Sequence, residues 1–232
     1  MLLRPIKGHG FANTLIHLCD FFTEHPDGMV HESIKDFELG RWLTFNFPIT
    51  DRTDLPTYIP KIYINNHTVR NVHPLIRKLI KPSDELQKVI DEHAHLVDGV
   101  KAGLHIRRGA SAPDSRKVVE RNEDLFADDT AIAKFKALSE MMSPYFLASD
   151  SPETKKMFPT ARTLDTTISV VHDKCPLAST NDRRNIFLDF FLLSKCPRVF
   201  CTAGSQTLDS PGLSTFGYMA AIYGNVEFTF VA

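Results

Sequence analysis

The sequence predicts an α/β protein with a parallel sheet in its second half, and three observations carry that prediction. Through residues 99–231, short apolar runs alternate with helical patterns, as strands joined by crossover helices do. Residues 100–110, VKAGLHIRRGA, set Val100, Ala102, Leu104 and Ile106 in alternation and end in two adjacent arginines, Arg107 and Arg108. Near the amino end, an apolar run, a glycine-bearing turn and a helical pattern follow one another, the opening of a Rossmann-like unit.

Size and composition bound the class. The chain has 232 residues, 43% of them hydrophobic, enough for one large domain or two small ones. Its formal net charge of −1, from 27 basic and 28 acidic residues, comes with no Lys/Arg-rich block, which argues against nucleic acid as a partner. Cys19, Cys175, Cys196 and Cys201 form no CxxC pair, and three of them sit in or beside apolar runs, as reduced, buried thiols do. Lys7, Gly8, His9 and Gly10 interrupt the apolar amino end, so no signal peptide is expected. No apolar run reaches the roughly 18 residues of a membrane span, and a cytoplasmic or otherwise soluble protein is expected. Asn66-His67-Thr68 fits the glycosylation pattern, which matters only in a secretory compartment.

The elements follow in order. Residues 1–6 read as a strand, residues 7–13 as a turn and residues 14–23 as a helix with Leu15, Ile16, Leu18, Cys19 and Phe22 on its spacing. Gly8, Gly10 and Asn13 fall in that turn. It fits either a tight connection or a loop whose backbone N–H groups approach an anion or a sugar. Residues 29–31 and 61–64 read as short strands, with irregular, aromatic- and proline-rich sequence over 37–60 between them. The only tryptophan, Trp42, lies there and suits a core position or a sugar-stacking one. Helices are expected over 72–80 and 83–96, the second capped by Ser83. Pro82 marks the expected boundary between halves of residues 1–82 and 83–232.

In the second half, Gly99 and Gly103 suit close backbone packing around the arginine strand. A polar loop over 111–122 holds Asp114. A helix over 129–141, a strand over 143–150, a helix opening at 151 and a strand near 161–164 follow. Next come a helix over 180–196 capped by Thr180 or Asn181, a strand over 198–202, a helix over 212–223 and a last strand over 226–231.

Three strand ends carry polar clusters: His105 with Arg107 and Arg108, Ser149 with Asp150, and Thr202 with Ser205 and Gln206. In a parallel sheet these ends share one edge, where open α/β sheets bind ligands. Guanidinium groups there suit a diphosphate, because they offer fixed charge and parallel N–H donors. Ser205 and Gln206 add neutral donors, and Asp150 is an acceptor for a donor-rich base such as guanine. Asp189 interrupts an otherwise apolar helix, and a buried carboxylate needs a partner. Arg183 and Arg184 are candidates, as is an arginine of the site. The acidic pair Asp128-Asp129 opens a helix and suits its positive end better than a metal.

Together these motifs resemble the GDP-fucose-dependent fucosyltransferases, which include the α1,6-fucosyltransferases, the rhizobial nodulation enzyme and the protein O-fucosyltransferases. The family's HxRRxD corresponds to His105-Ile-Arg107-Arg108-Gly-Ala110, and its A-[ST]-D strand end to Ala148-Ser149-Asp150. Its DxxxLS and following CT-x-[SG]-SQ loop correspond to Asp189 through Ser194 and to Cys201 through Gln206. Lys81 through Leu86 resembles the segment ahead of the family's donor domain. The matches span residues 80–222 in the family's order.

The resemblance implies a GT-B-like fold, two Rossmann-like halves facing a cleft, with the donor in the second and the acceptor on the first. It implies inverting transfer of fucose from a nucleotide-sugar donor to a glycan or glycoprotein, with no metal and no cofactor. It places Arg107 on the leaving diphosphate with Arg108 assisting, His105 and Asp150 at the guanine, and Ser205 and Gln206 near the phosphates. Gly8, Gly10 and Asn13 of the first turn join the donor set, with Asp189 in support. The family's aspartate after RRx is Ala110 here, which leaves Asp114, the nearest downstream acid, as the candidate base. Another GDP- or UDP-sugar, or a catalytically silent sugar-nucleotide or glycan-binding module, remains a competing expectation.

Overall fold

The computed structural model describes residues 1–5, 11–35, 39–58, 73–108, 127–165, 179–203, 206–207, 210–211 and 214–231, with backbone alone at 73–74, 206–207 and 210–211. The chain divides into two compact units, Met1–Lys88 and Val89–Ala232.

The first unit opens with β1 (Leu2–Leu3), α1 (Phe11–Glu24) and β2 (Met29–His31), a β-α-β unit whose two strands pair in parallel. A 3-10 turn, Glu32–Lys35, leads to α2 (Leu39–Trp42), β3 (Leu43–Phe45), β4 (Ile49–Thr50) and β5 (Thr57–Tyr58). Four strands form a parallel sheet in the order β4-β2-β1-β5. Leu2 and Leu3 are buried within it, and Leu15, Leu18 and Phe21 of α1 are buried as the spacing requires. The unit closes with α3 (His73–Leu79), β6 (Ile80–Pro82) and α4 (Asp84–Glu92), and the division between units falls inside α4, just beyond Pro82. Ser83 caps α4, its hydroxyl accepting from the Leu86 N–H at 3.3 Å.

Several expectations for this unit are corrected. Of the span 37–60, expected to be irregular, the described residues 39–58 are not: β4 and β5 take parallel places in the sheet, and β3 pairs antiparallel with β6. The strands are two or three residues long, too short for alternation to reveal them. Pro82 therefore ends a strand, opposite Leu43, where its missing N–H costs the ladder least. Trp42 is 1% exposed and belongs to the core, with the Arg41 guanidinium 4.6 Å from its ring centroid. The expected strand over 61–64 lies outside the described residues.

The second unit contains β7 (Ala102–Ile106), α5 (Asp129–Met141), β8 (Tyr145–Ser149), α6 (Pro152–Lys156), β9 (Arg162–Thr163), α7 (Thr180–Leu193) and β10 (Arg198–Thr202). A two-stranded antiparallel pair, β11 (Gln206–Thr207) with β12 (Ser210–Pro211), precedes α8 (Thr215–Gly224) and β13 (Glu227–Val231). Five strands form one parallel sheet in the order β13-β10-β7-β8-β9. The chain runs outward from β7 through β8 to β9, then restarts on the other side of β7 with β10 and β13. The strand order thus reverses between β7 and β10, the switch point at which such sheets bind ligands beyond the carboxyl ends.

Alternation along β7 divides its side chains between two layers. Ala102, Leu104 and Ile106 pack in one core with Ala131, Ile132 and Phe135 of α5. Gly103 faces the other layer, where an added Cβ would stand 2.8 Å from Leu193 Cδ2 of α7 and 3.0 Å from Cys196 Sγ. Gly99 serves differently from the expected close packing. Its φ is +66° with open space around it, so it turns the chain into β7. The cap of α7 is Ser179, in a reciprocal capping box with Asp182, and not Thr180 or Asn181. Cys19, Cys196 and Cys201 are free and buried. Cys175 lies outside the described residues. No helix among the described residues is long and apolar enough to cross a membrane.

Candidate functional site

The carboxyl edge of the second sheet is built around the end of β7. Register between β7 and β10 pairs Gly103 with Val199 and His105 with Cys201, after which the strands part. Thr202 closes the gap. Its hydroxyl accepts from the Arg107 N–H at 3.1 Å and donates to the His105 carbonyl at 3.2 Å. The Arg107 carbonyl in turn accepts from the Ala127 N–H at 2.9 Å. Both main-chain groups of Arg107 are therefore fixed, and its half-buried side chain starts from a rigid base at the switch point.

The two arginines leave the strand on opposite faces. The Arg108 N–H donates to Asp150 Oδ1 at 2.9 Å, tying the turn after β7 to the end of β8. The Arg108 guanidinium is buried and reaches Asp129 at the start of α5, with Nη1 and Nη2 both 3.4 Å from Oδ1. Asp128 caps α5, its carboxylate accepting from the Ala131 N–H at 2.8 Å. The acidic pair thus serves the helix and Arg108, and no cluster of three or more His, Cys, Asp or Glu suited to a metal occurs among the described residues. Asp150 does not cap α6. Ser151 does, accepting from the Thr154 N–H at 3.1 Å.

His105 points into the layer of α7 and α8. Its ring stacks on Phe216 with centroids 5.1 Å apart and planes at 28°. Gly217 makes that approach possible, since a Cβ there would lie 2.7 Å from His105 Cβ and 2.9 Å from Cys201 Sγ. Burial, and secondarily the Arg107 charge, hold the imidazole pKa down to about 3, so it is neutral at ordinary pH. Its buried Nδ1 has no hydrogen-bond partner among the described residues.

Asp189 comes level with His105. Leu193 of α7 packs on Gly103 of β7. One turn back along the helix, roughly 6 Å, matches two residues forward along the strand, roughly 6.6 Å. Phe190, beside Asp189, completes the link through an edge contact with Phe216 at 5.7 Å. Asp189 is 7% exposed, and its Oδ1 has no hydrogen-bond partner among the described residues. Burial pushes its carboxyl up to about 6, opposed by the charge of Lys155. Among the described residues that opposing charge comes from Lys155 of α6, and not from Arg183 or Arg184.

Among solved structures, the chain matches NodZ alpha-1,6-fucosyltransferase soaked with GDP-fucose at TM-score 0.52 and 14% identity, over 96% of this chain and 92% of that one. It matches fucosyltransferase NodZ from Bradyrhizobium at TM-score 0.54 and 12% identity, over 94% and 91%. This is a fucosyltransferase-like fold. A NodZ alpha-1,6-fucosyltransferase co-crystallised with GDP also matches, at TM-score 0.50 and 12% identity over 86% of this chain and 87% of that one. No protein-family model matches the chain, and no curated protein sequence matches it.

Of the residues singled out from the sequence, His105, Arg107, Arg108, Asp150 and Asp189 are brought to the switch-point edge of the second unit. Asn13 lies in the first turn of α1, half-buried, because the helix starts at Phe11 and not at residue 14. The backbone of Gln206 opens β11. Gly8, Gly10, Asp114 and Ser205 lie outside the described residues. Sequence reasoning passed over Thr202 as a bridge, Gly217 as the seat of His105, and Lys155. The first two carry a weak signal, a hydroxyl at a strand end and a glycine within a helix. Lys155 carries none, because it stands among surface residues in Glu153-Thr154-Lys155-Lys156.

Proposed function

We propose that the protein is an inverting, metal-independent glycosyltransferase that moves L-fucose from GDP-fucose to a hydroxyl of a glycan or protein. The acceptor oxygen attacks the anomeric carbon, the bond to the β-phosphate oxygen breaks, and GDP departs with the bonding pair. The acceptor's proton passes to a base, for which Asp114 is the candidate. Negative charge grows on the leaving diphosphate, and a fixed guanidinium stabilises it where other transferases use a divalent ion. Arg107 takes that role. The supporting observation is its position at the end of the central strand, at the switch point of a NodZ-like fold, with both main-chain groups held. Arg108 positions the turn, and Ser205 and Gln206 add donors to the phosphates. Residues 1–82 are assigned to the acceptor side.

The nucleobase end draws on His105, Asp150 and Asp189. A guanine edge offers adjacent N–H donors, and a carboxylate accepts from both, whereas uracil sets carbonyl oxygens against it. Asp150 has one oxygen engaged by the Arg108 N–H, while Asp189 Oδ1 is unused. Asp189 is therefore the stronger acceptor candidate, and GDP is expected to bind well ahead of UDP.

The deciding experiment is Arg107→Ala. Fucose transfer, or release of GDP to water, is expected to fall by about a hundredfold or more, the scale for one charge-stabilising donor. Arg107→Lys is expected to restore part of it, since an ammonium lacks the planar fork. Full activity in a folded Arg107→Ala protein would remove this residue from the reaction. Ala110, in place of the family's acid, favours one competing reading, a binding module that holds a nucleotide sugar without turnover. Tight GDP-fucose binding with no GDP release over hours would establish that reading instead.

A further inference from the structure

The way β7 leaves its sheet is unlike an ordinary strand end. Pairing with β8 runs to Ile106 opposite Ser149, and pairing with β10 runs to His105 opposite Cys201. Beyond those points a frayed end would turn its N–H groups to water. Here the next residue of each neighbouring strand supplies a side-chain oxygen instead. Thr202 accepts the Arg107 N–H at 3.1 Å, and Asp150 accepts the Arg108 N–H at 2.9 Å. Each of these two residues is itself held from its far side. Thr202 ends β10 in register with Val231 of β13, whose carbonyl accepts the Ala203 N–H at 2.9 Å. Behind Asp150, Ser151 caps α6, and its N–H donates to Ser149 Oγ at 3.3 Å.

We propose that Thr202 is a positioning residue for Arg107, fixing where its guanidinium meets the terminal phosphate of a nucleoside diphosphate. This rests on the donor-binding reading above. Thr202 is 1% exposed, and its hydroxyl proton goes to the His105 carbonyl at 3.2 Å. A hydroxyl carries a single proton, so none is left for a ligand, and Thr202 acts through Arg107. Its β-branched side chain is stiff at χ1, which keeps the oxygen in place. The Arg107 side chain is long, and an error in the direction in which it leaves the main chain grows toward the guanidinium. A forked contact with a phosphate tolerates little of that error, because two parallel N–H donors must align with it. A misplacement of about 1 Å that originates away from the reacting atoms costs on the order of a hundredfold.

The test is the affinity for GDP and for GMP, by calorimetry, in wild type, Thr202→Val, Thr202→Ser, Arg107→Ala and the double variant Arg107→Ala/Thr202→Val. GMP lacks the terminal phosphate, so the ratio of the two affinities reads the Arg107 contact. Arg107→Ala is expected to lower that ratio by roughly tenfold to a hundredfold, the range for hydrogen bonds to a charged group. Thr202→Val, close in shape but without the hydroxyl, is expected to lower it by roughly fivefold or more while GMP affinity is kept. Thr202→Ser is expected to keep most of the wild-type ratio. In the Arg107→Ala background, Thr202→Val is expected to change the ratio no further, because the side chain it positions is gone. Should Thr202→Val fail to fold, Thr202→Cys takes its place with the same outcomes, since a thiol is only a weak donor and acceptor. A folded variant with the wild-type ratio, with GDP and GMP weakened alike, or with an undiminished effect in the Arg107→Ala background overturns the role of Thr202 alone. An unchanged ratio in Arg107→Ala, or folded wild type that binds neither nucleotide, overturns the donor-site reading and this proposal together.

Discussion

Replacing Asp189 by asparagine is expected to make the ligand-free protein more stable at neutral pH while weakening nucleotide binding. The carboxyl is raised from 3.8 to about 6 by burial, roughly two pKa units, and each unit corresponds to about 1.4 kcal/mol. The sign follows from proton uptake. Between pH 4 and 6 the folded chain holds this proton more tightly than the unfolded chain, so stability falls as pH rises through that window and is level above it. At pH 7.5 the ionised group therefore costs about 3 kcal/mol. Asparagine keeps the shape, removes the charge and leaves an amide about as poorly paired as the protonated acid. The expected gain is about 2–3 kcal/mol at pH 7.5, shrinking toward zero near pH 4. His105 slopes the other way: its pKa is depressed to about 3, so stability is lost as pH falls below its ordinary value of 6.5, but it does so in both proteins and cancels in the difference. Urea unfolding at pH 4.5, 6 and 7.5, followed by far-ultraviolet circular dichroism, measures the gain. Tryptophan fluorescence is unsuitable, because Trp42, the only tryptophan, lies in the other unit. An Asp189→Asn protein that is less stable at pH 7.5, or more stable by a pH-independent amount, would refute the reasoning. Such a gain would fit a carboxylate whose charge serves binding, the usual trade between stability and function.

Three further outcomes follow from the geometry. Gly217→Ala sets a methyl group 2.7 Å from His105 Cβ, an atom held by the strand, so α8 must move away. A loss of about 1–3 kcal/mol is expected in denaturant titration, and a change within about 0.5 kcal/mol would show the helix shifts freely. Thr202→Val removes the hydroxyl between the Arg107 N–H and the His105 carbonyl, and about 1–3 kcal/mol of stability with it. Thr202→Ser should retain both bonds, and equal behaviour of the two variants would discount the bridge. Transfer activity is expected to survive EDTA, because a guanidinium can stabilise the departing diphosphate, and restoration of a chelator-inactivated enzyme by manganese would contradict this.

Local patterning was sufficient wherever an element carried enough repeats to show its period. Residues 129–141 and 198–202 read from the sequence have the bounds of α5 and β10. The alternation ending in Arg107 and Arg108 identified β7 and placed its arginines at the strand's carboxyl end. What failed was short. Strands β3 to β6 are two or three residues each, and their partners lie far along the chain, so only pairing makes them strands. The cap of α7 was missed by one residue, since Ser179, Thr180 and Asn181 all have cap chemistry and the choice depends on which side chain reaches back to the Asp182 N–H.

The sequence by itself determined the chemistry at the strand ends: a neutral-capable histidine, two arginines, a strand-end aspartate and a carboxylate within an apolar helix. Tertiary structure alone decided how they are used. Strand order put β7 beside β10 and so made the end of β7 a switch point. Packing at Gly103 brought Asp189 level with His105, residues 84 positions apart in the chain. Lys155 turned inward to the Leu164 carbonyl. The reason is physical: identity sets what a side chain can donate, accept or ionise, whereas burial and neighbouring charge set which of those states it holds, and both depend on contacts between residues distant in sequence.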